Sequence, residues 1–207
     1  MTDHIALDFA ADEELLARIA AGQLTALGVL FRRRQQNIYR FALHLTGSPS
    51  LADDVTQDVF VAVIKDASKF QPGRAPVPAW LCGIARNFVR RRLVTDRSAS
   101  MEGDNGLEAD LPAVGSDPLE DLTQAEGVER LRRAVLSLPL RYREAVVLCD
   151  LQEVSYADAA VSLDCPIGTV RSRLNRGRAL LTTKMLAEQR RQAEALDGRL
   201  KVTRCLA

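Results

Sequence analysis

Apolar residues recur at three- and four-residue spacing along most of the chain, which is the period of one face of an α-helix. In the N-terminal part this pattern predicts helices over 12–21 and 27–45, and Gly47 ends the second of them. A third helix is predicted to open at Ser50 and Asp53, which have the three-residue spacing of a capping box. No segment sustains the two-residue alternation of a strand, so the pattern predicts an all-α protein.

A proline-rich loop is predicted to interrupt the N-terminal helices at Phe70–Ala79. The apolar stripe that follows it predicts a fourth helix, on which Trp80 and Phe88 share the face of Ile84. This position favours packing in the core over a role as exposed stacking platforms.

The C-terminal part has the same helical period, with helices predicted over 128–137 and 140–149. Ser155 and Asp158 repeat the capping-box spacing and open a short helix. A tight turn follows, and a longer basic helix then runs from Ile167 to at least Leu181. A short capped helix, a tight turn and a longer basic helix form a helix-turn-helix.

Residues 96–126 separate the two helical parts and are rich in Gly, Pro, Ser and acidic residues, without an aromatic side chain. This composition predicts a flexible acidic linker between two small helical domains, over 1–95 and 127–183. Its acidity suits solubility, and the alternative is competition with DNA for the basic parts of the chain. Residues 184–207 form a C-terminal extension, for which a continued helix and a frayed basic tail both stay open.

Composition excludes several classes of protein. The chain has 207 residues, of which 47% are hydrophobic, but its apolar runs are far shorter than the roughly 18 residues of a membrane span. The N-terminus is acidic, unlike a secretory signal, so we expect a cytoplasmic protein without membrane insertion. The four Cys and two His are scattered, which argues against a zinc site, a disulfide framework or another cofactor. Three cysteines are predicted to fill apolar or turn positions, namely Cys82, Cys149 and Cys165.

The net charge of +1 hides a strong asymmetry. Residues 1–95 carry a net +3, residues 96–126 a net −8, and residues 127–207 a net +6. Two basic blocks on either side of an acidic one suggest a polyanionic partner such as nucleic acid.

The long basic helix concentrates this charge on one side. Its apolar face is predicted to contain Ile167, Val170, Leu174, Gly177 and Leu181. The opposite face is predicted to hold Thr169, Arg171, Ser172, Asn175 and Arg176, with Arg173 and Arg178 at its flanks. Arginine can read guanine and asparagine can read adenine in the major groove. The alternative is a solvated amphipathic helix that binds nothing.

A second candidate surface is acidic. Asp54 and Asp58 are one helical turn apart, so both carboxylates face the same side of the third helix with Gln57 beside them. Such a face can accept hydrogen bonds from arginines of a partner helix. The alternatives are a paired-carboxylate metal or acid–base site, which lacks a third ligand, and a merely solvated face.

Two sets of motifs resemble the extracytoplasmic-function (ECF) sigma factors of bacterial RNA polymerase. The C-terminal set is similar to sigma region 4 and comprises Leu138–Leu148, Tyr156–Ala160 and Cys165–Leu181, the last with Gly-Thr-Val-Arg-Ser-Arg-Leu-Asn-Arg-Gly-Arg. The N-terminal set resembles sigma region 2 and comprises Ile38–Gly47, Asp53–Phe60 and Trp80–Asn87. The resemblance covers roughly 12–95 and 127–183, in the family's order and across a variable linker. Asp164 stands where the family often has Gly, and Ala159 replaces a larger aliphatic residue.

The resemblance implies a role for each matching segment. Residues that would dock on core RNA polymerase are Asp53, Asp54, Gln57 and Asp58. The Phe70–Ala79 loop matches the segment that captures a flipped base of the −10 element, although it carries three prolines that the family usually lacks. Residues implied in −10 DNA binding are Arg74, Arg86, Asn87, Arg90 and Arg91. The −35 element would be contacted by Thr169, Arg171, Ser172, Arg173, Asn175, Arg176 and Arg178.

These roles imply a sigma factor that recruits polymerase to promoter DNA, has no active site, is monomeric when free, and is held inactive by an anti-sigma factor. The rival from another class is a polymerase-independent helix-turn-helix regulator, which should be a dimer on a palindromic site. The acidic face discriminates between them, because a simple repressor has no use for it. A helical metal-dependent hydrolase is a third and weaker interpretation.

Overall fold

The computed structural model describes residues 7–99 and 118–205, and these contain helices and no strand. The all-α prediction is therefore confirmed for the described part of the chain. The N-terminal domain contains α1 (Asp12–Ala20), α2 (Leu24–Thr46), α3 (Pro49–Asp66), a short 3-10 turn (Ala67–Lys69) and α4 (Val77–Ala99). The C-terminal domain contains α5 (Pro118–Leu136), α6 (Leu140–Val146), a π-helical turn (Val147–Leu151), α7 (Tyr156–Ser162) and α8 (Ile167–Cys205).

The start of α3 corrects the predicted capping box. The cap is Ser48, whose Oγ accepts a hydrogen bond from the Leu51 backbone N–H at 3.3 Å. Pro49 occupies the first helical position, where its missing N–H costs nothing. The pair Ser50 and Asp53 has the right spacing but lies inside the helix, because Gly47 turns the chain with a φ of +72° and the cap falls at Ser48, two residues before Ser50.

The proline-rich loop is shorter than predicted. Because α4 begins at Val77, the last three residues of the predicted Phe70–Ala79 loop are helical. Pro78 is tolerated there because the N–H groups of a first helical turn have no partner within the helix.

The helix-turn-helix of the C-terminal domain follows the predicted pattern closely. Ser155 caps α7 by accepting a hydrogen bond from the Asp158 backbone N–H at 3.1 Å. Asp164 takes a left-handed φ of +48° in the turn, a conformation that Asp adopts more readily than most residues. Val170 and Leu174 are buried as expected, whereas Ile167 is 43% exposed and does not belong to the buried face.

The ends of the helices revise the boundaries of the predicted linker. Helix α4 extends to Ala99 and α5 starts at Pro118, so both ends of 96–126 are helical. The rest of the predicted linker, 100–117, lies outside the described residues. At the other end, α8 continues to Cys205, so the backbone of the C-terminal extension is helical over its described length.

Two glycines of α8 provide a matched test of how closely this domain is packed. A Cβ at Gly177 would lie 2.7 Å from Val146 Cγ2, whereas a Cβ at Gly168 would meet nothing within 4 Å. We expect Gly177→Ala to destabilise the protein by about 1–3 kcal/mol through overpacking. Gly168→Ala should instead be neutral or stabilise by up to about 1 kcal/mol, because alanine is the better helix former. Urea unfolding of the two variants measures the difference, and equal midpoints would contradict the close packing of α6 against α8.

Candidate functional site

The acidic face of α3 meets an arginine of the same domain. Asp53, Asp54 and Gln57 are exposed and Asp58 is half-buried. Arg92 on α4 donates hydrogen bonds to Asp54 Oδ2 at 3.1 Å and to Asp58 Oδ2 at 2.6 Å. The bond and charge of Asp58 raise the pKa of the Arg92 guanidinium above its ordinary value. The face is therefore shaped to hold a guanidinium.

The same contacts count against the metal-site interpretation of Asp54 and Asp58. Among the described residues, no group of three or more His, Cys, Asp or Glu side chains is placed to hold a metal ion. A cation already occupies the space between the two carboxylates, and that cation is an arginine side chain.

Two apolar residues next to this face were missed by the sequence interpretation. Val61 and Ile64 are 52% and 45% exposed, although both are aliphatic. Val61 follows Asp58 by three residues and Asp54 by seven, so it extends the same side of α3. Both residues lie off the buried face of α3, which contains Ala52, Val55, Val59 and Val63, and large apolar side chains outside such a face are the signal that identifies them.

The predicted −10 residues of α4 divide between solvent and the C-terminal domain. Asn87 and Arg91 are exposed, and the Arg91 guanidinium stacks 4.6 Å from the centre of the Phe88 ring. Arg90 instead donates two hydrogen bonds to Glu144 on α6, from Nε at 2.6 Å and from Nη2 at 2.8 Å. Arg86 is buried, with Nε 3.1 Å from the same carboxylate.

A cleft of about 330 Å³ lies between the proline-rich loop and α4. Its wall in the N-terminal domain includes Lys69, Arg74 and Trp80, and the Trp80 ring packs edge-on against Phe70 at 5.5 Å. Arg74 is exposed at this cleft. Trp80 and Phe88 are partly buried and pack against the core, in agreement with their predicted position.

Helix α8 presents most of its predicted polar face to solvent. Exposed members are Arg171, Ser172, Asn175 and Arg176, whereas Thr169 and Arg173 are half-buried.

The two flanking arginines of this face have partners inside the protein. Arg178 donates two hydrogen bonds to Asp150 of the π-helical turn, at 2.5 and 3.1 Å. Arg173 Nη1 lies 3.8 Å from Cys165 Sγ. Within the described part of α8, Arg173 and Arg178 therefore differ from Arg171 and Arg176 in contacting side chains of neighbouring elements.

Cys82 and Cys149 have the surroundings of packing residues. Burial raises the pKa of the Cys82 thiol to about 12, and burial together with the charge of Asp150 raises that of Cys149 to about 11. Both thiols therefore stay protonated near neutral pH, and the thiol is a much weaker nucleophile than the thiolate.

Comparison with known proteins places both domains in one family. The family model of Sigma-70 region 2 matches residues 30–98, and that of Sigma-70, region 4 matches residues 128–181. The chain is 33% identical to the ECF RNA polymerase sigma factor SigC of Mycobacterium tuberculosis, over 83% of its own length and 92% of the relative's. It is also 35% identical to the ECF RNA polymerase sigma factor SigE of Mycolicibacterium smegmatis, over 73% of its own length and 58% of that relative's.

The chain belongs to the ECF sigma factors of the sigma-70 family. Region 2 lies within its N-terminal domain and region 4 within its C-terminal domain. The fold is similar to that of CnrH in a complex with the cytosolic domain of CnrY, with a TM-score of 0.64 and 28% identity over 86% of this chain and 99% of CnrH.

As a member of this family, the chain is an alternative sigma factor that directs transcription initiation by RNA polymerase. The described part of this sigma factor includes no helix long and apolar enough to cross a membrane.

Proposed function

We propose that region 2 binds core RNA polymerase through the acidic face of α3, formed by Asp53, Asp54, Gln57 and Asp58. The observation that carries this proposal is the Arg92 guanidinium, which is bound by Asp54 and Asp58 together. Carboxylates one turn apart suit an arginine of a partner helix equally well, because each has lone pairs left to accept further hydrogen bonds. Exposed Val61 adds an apolar contact beside the charged ones.

Promoter DNA is the second partner in this proposal. In region 2, Arg74, Asn87 and Arg91 are exposed on the surface that would meet phosphates and single-stranded bases of the −10 element, with Arg86 and Arg90 behind them. In region 4, the exposed face of α8 enters the major groove of the −35 element. That face combines arginine, asparagine and serine, the side chains that read base edges and hold phosphates.

A regulatory protein completes the proposed set of partners. The similarity to CnrH, which was solved in complex with the cytosolic domain of CnrY, supports an anti-sigma factor as that partner. The sigma factor then acts in the cytoplasm as a monomer when free, and it contributes binding rather than catalysis to initiation.

In vitro transcription tests the proposal. The full chain is combined with bacterial core polymerase and a library of promoter fragments, and the transcripts are sequenced. We expect transcripts that start downstream of a shared pair of −35 and −10 elements, and none from core polymerase alone. Light scattering of the free chain should give the mass of a monomer. A dimer that binds a palindrome and supports no transcription would establish the rival helix-turn-helix regulator instead.

A further inference from the structure

His44 lies where α2 of the N-terminal domain meets α5 of the C-terminal domain. Gly47, at the end of α2, packs so closely on α5 that a Cβ there would lie 2.8 Å from Leu136 Cδ1. His44 and Arg132 each come about one helical turn earlier than this pair, which places both on the side of its helix that faces the contact. The positive charge of Arg132 accordingly acts on the imidazole.

The imidazole of His44 is held in its neutral form at this contact. The side chain is half-buried, and its Nδ1 atom is buried without a hydrogen-bond partner. Burial lowers the pKa of His44 below its ordinary value of about 6.5, and the charges of Arg132 and Arg40 lower it further. The Arg40 backbone carbonyl, one turn before His44, offsets only part of this shift. A proton added to the ring would therefore be poorly solvated and would face like charges.

Positive side chains approach His44 from three helices. Arg40 is exposed on α2 itself. Arg132 comes from α5, where Glu129 lies 3.7 Å away and balances part of its charge. Arg143 of α6 donates a hydrogen bond to the backbone carbonyl of the residue that follows His44. An imidazolium at this position would add a further positive charge to the group.

Helices α3 and α4 also pack on α2, and their buried residues are apolar apart from Thr56 and Arg86. Arg86 lies beside Glu144 of α6, which also binds Arg90. Within the described residues, α3 and α4 thus bury no carboxylate against α2 that could balance a charged imidazole.

A histidine that has to stay neutral makes the contact around it sensitive to pH near its own titration range. We propose that His44 is a pH-sensitive switch between the two domains, in which protonation of the imidazole repels Arg132 and releases α5 from α2. This inference concerns the arrangement of the domains and does not depend on the proposed partners.

The direction of the pH dependence follows from the two states of the contact. Release of α5 removes the charge of Arg132 and uncovers the ring, so the separated form binds a proton more tightly than the docked form. The docking equilibrium should therefore be independent of pH above about 6.5. Below that value it should weaken by up to about tenfold for each pH unit, because one proton is taken up on release.

Energy transfer between two fluorophores tests the proposal in the full chain. Lys65→Cys on α3 and Thr182→Cys on α8 are exposed attachment sites, used with the four native cysteines changed to alanine. We expect the transfer efficiency to be constant from about pH 8 to about pH 7 and to fall between about pH 6.5 and about pH 5. Circular dichroism should show unchanged helix content over the same range.

Three substitutions in the labelled chain separate His44 from other causes of a pH effect. His44→Gln removes the titration and should keep the transfer efficiency constant at every pH. Arg132→Gln removes the repelling charge and should make the fall smaller. His4→Gln is the matched control, since His4 is the other histidine of the chain, and it should keep the pH dependence of the parent.

An efficiency that stays constant down to about pH 5, or that falls equally in His44→Gln, would overturn the inference. So would a loss of helix content over the same pH range, because the titration would then unfold a domain instead of separating two. The proposed binding of polymerase and promoter is unaffected by either result.

Discussion

Replacing Asp54 and Asp58 together by lysine is expected to weaken the binding of this sigma factor to core RNA polymerase by at least about 30-fold. The expectation corresponds to about 2–5 kcal/mol, the usual cost of removing one partner from a close charged contact in an interface. Neither carboxylate is buried in the free protein, so the fold should survive the change. Competition with a labelled sigma factor for core polymerase measures the affinity, and circular dichroism checks the helices.

Because Asp54 and Asp58 already bind Arg92, the double substitution removes a defined guanidinium-binding site and does more than change the net charge. Lysine at both positions repels Arg92 and any arginine of the polymerase alike, so the whole guanidinium site is lost. Glu13→Lys with Glu14→Lys is the matched control, because it changes the net charge equally on the exposed side of α1. Equal affinities of the two double variants for core polymerase would remove the assignment of this face.

Arg176→Ala is expected to cost about 1–3 kcal/mol in binding to the −35 element and to relax the sequence preference at one or two base pairs. Arg176 is exposed on the side of α8 opposite buried Val170 and Leu174, where a side chain can reach base edges in the major groove. The measurement is binding of the full chain, in holoenzyme, to promoter fragments with single-base changes in the −35 element. Equal losses on every fragment would show that α8 is oriented differently in the groove.

Arg178→Ala provides the contrast within the same helix. Because its guanidinium donates two hydrogen bonds to Asp150, Arg178 has little freedom to read a base. We expect its loss to weaken all fragments similarly and to reduce the slope of log affinity against log salt by about one, as for one phosphate contact. Asp150→Ala frees the guanidinium and should strengthen binding to all fragments alike. A loss confined to one base pair in Arg178→Ala would contradict this division of roles.

Local sequence patterns were sufficient to predict the fold class, the start of one helix, the exposed face of another, and the family. Helical periodicity predicts the all-α class, and the Ser155 and Asp158 pair predicts the start of α7, because a cap depends only on residues within one turn. The exposed face of α8 follows from the burial of Val170 and Leu174 on its other side. The two motif sets also predict the family from local sequence, because every segment in them is a short contiguous stretch of the chain.

Only the tertiary structure determines the ion-pair partners of the charged side chains. The sequence places Arg86 and Arg90 on the polar side of α4, but it contains no sign that Glu144, more than fifty residues away, takes both of them. Arg92 between two carboxylates, and Arg178 on Asp150, are likewise contacts between separate helices. A long charged side chain can reach in many directions from its helix, so its partner is set by which element packs beside it. Periodicity along the chain determines the buried face of each helix, and only the packing of the helices determines the ion pairs.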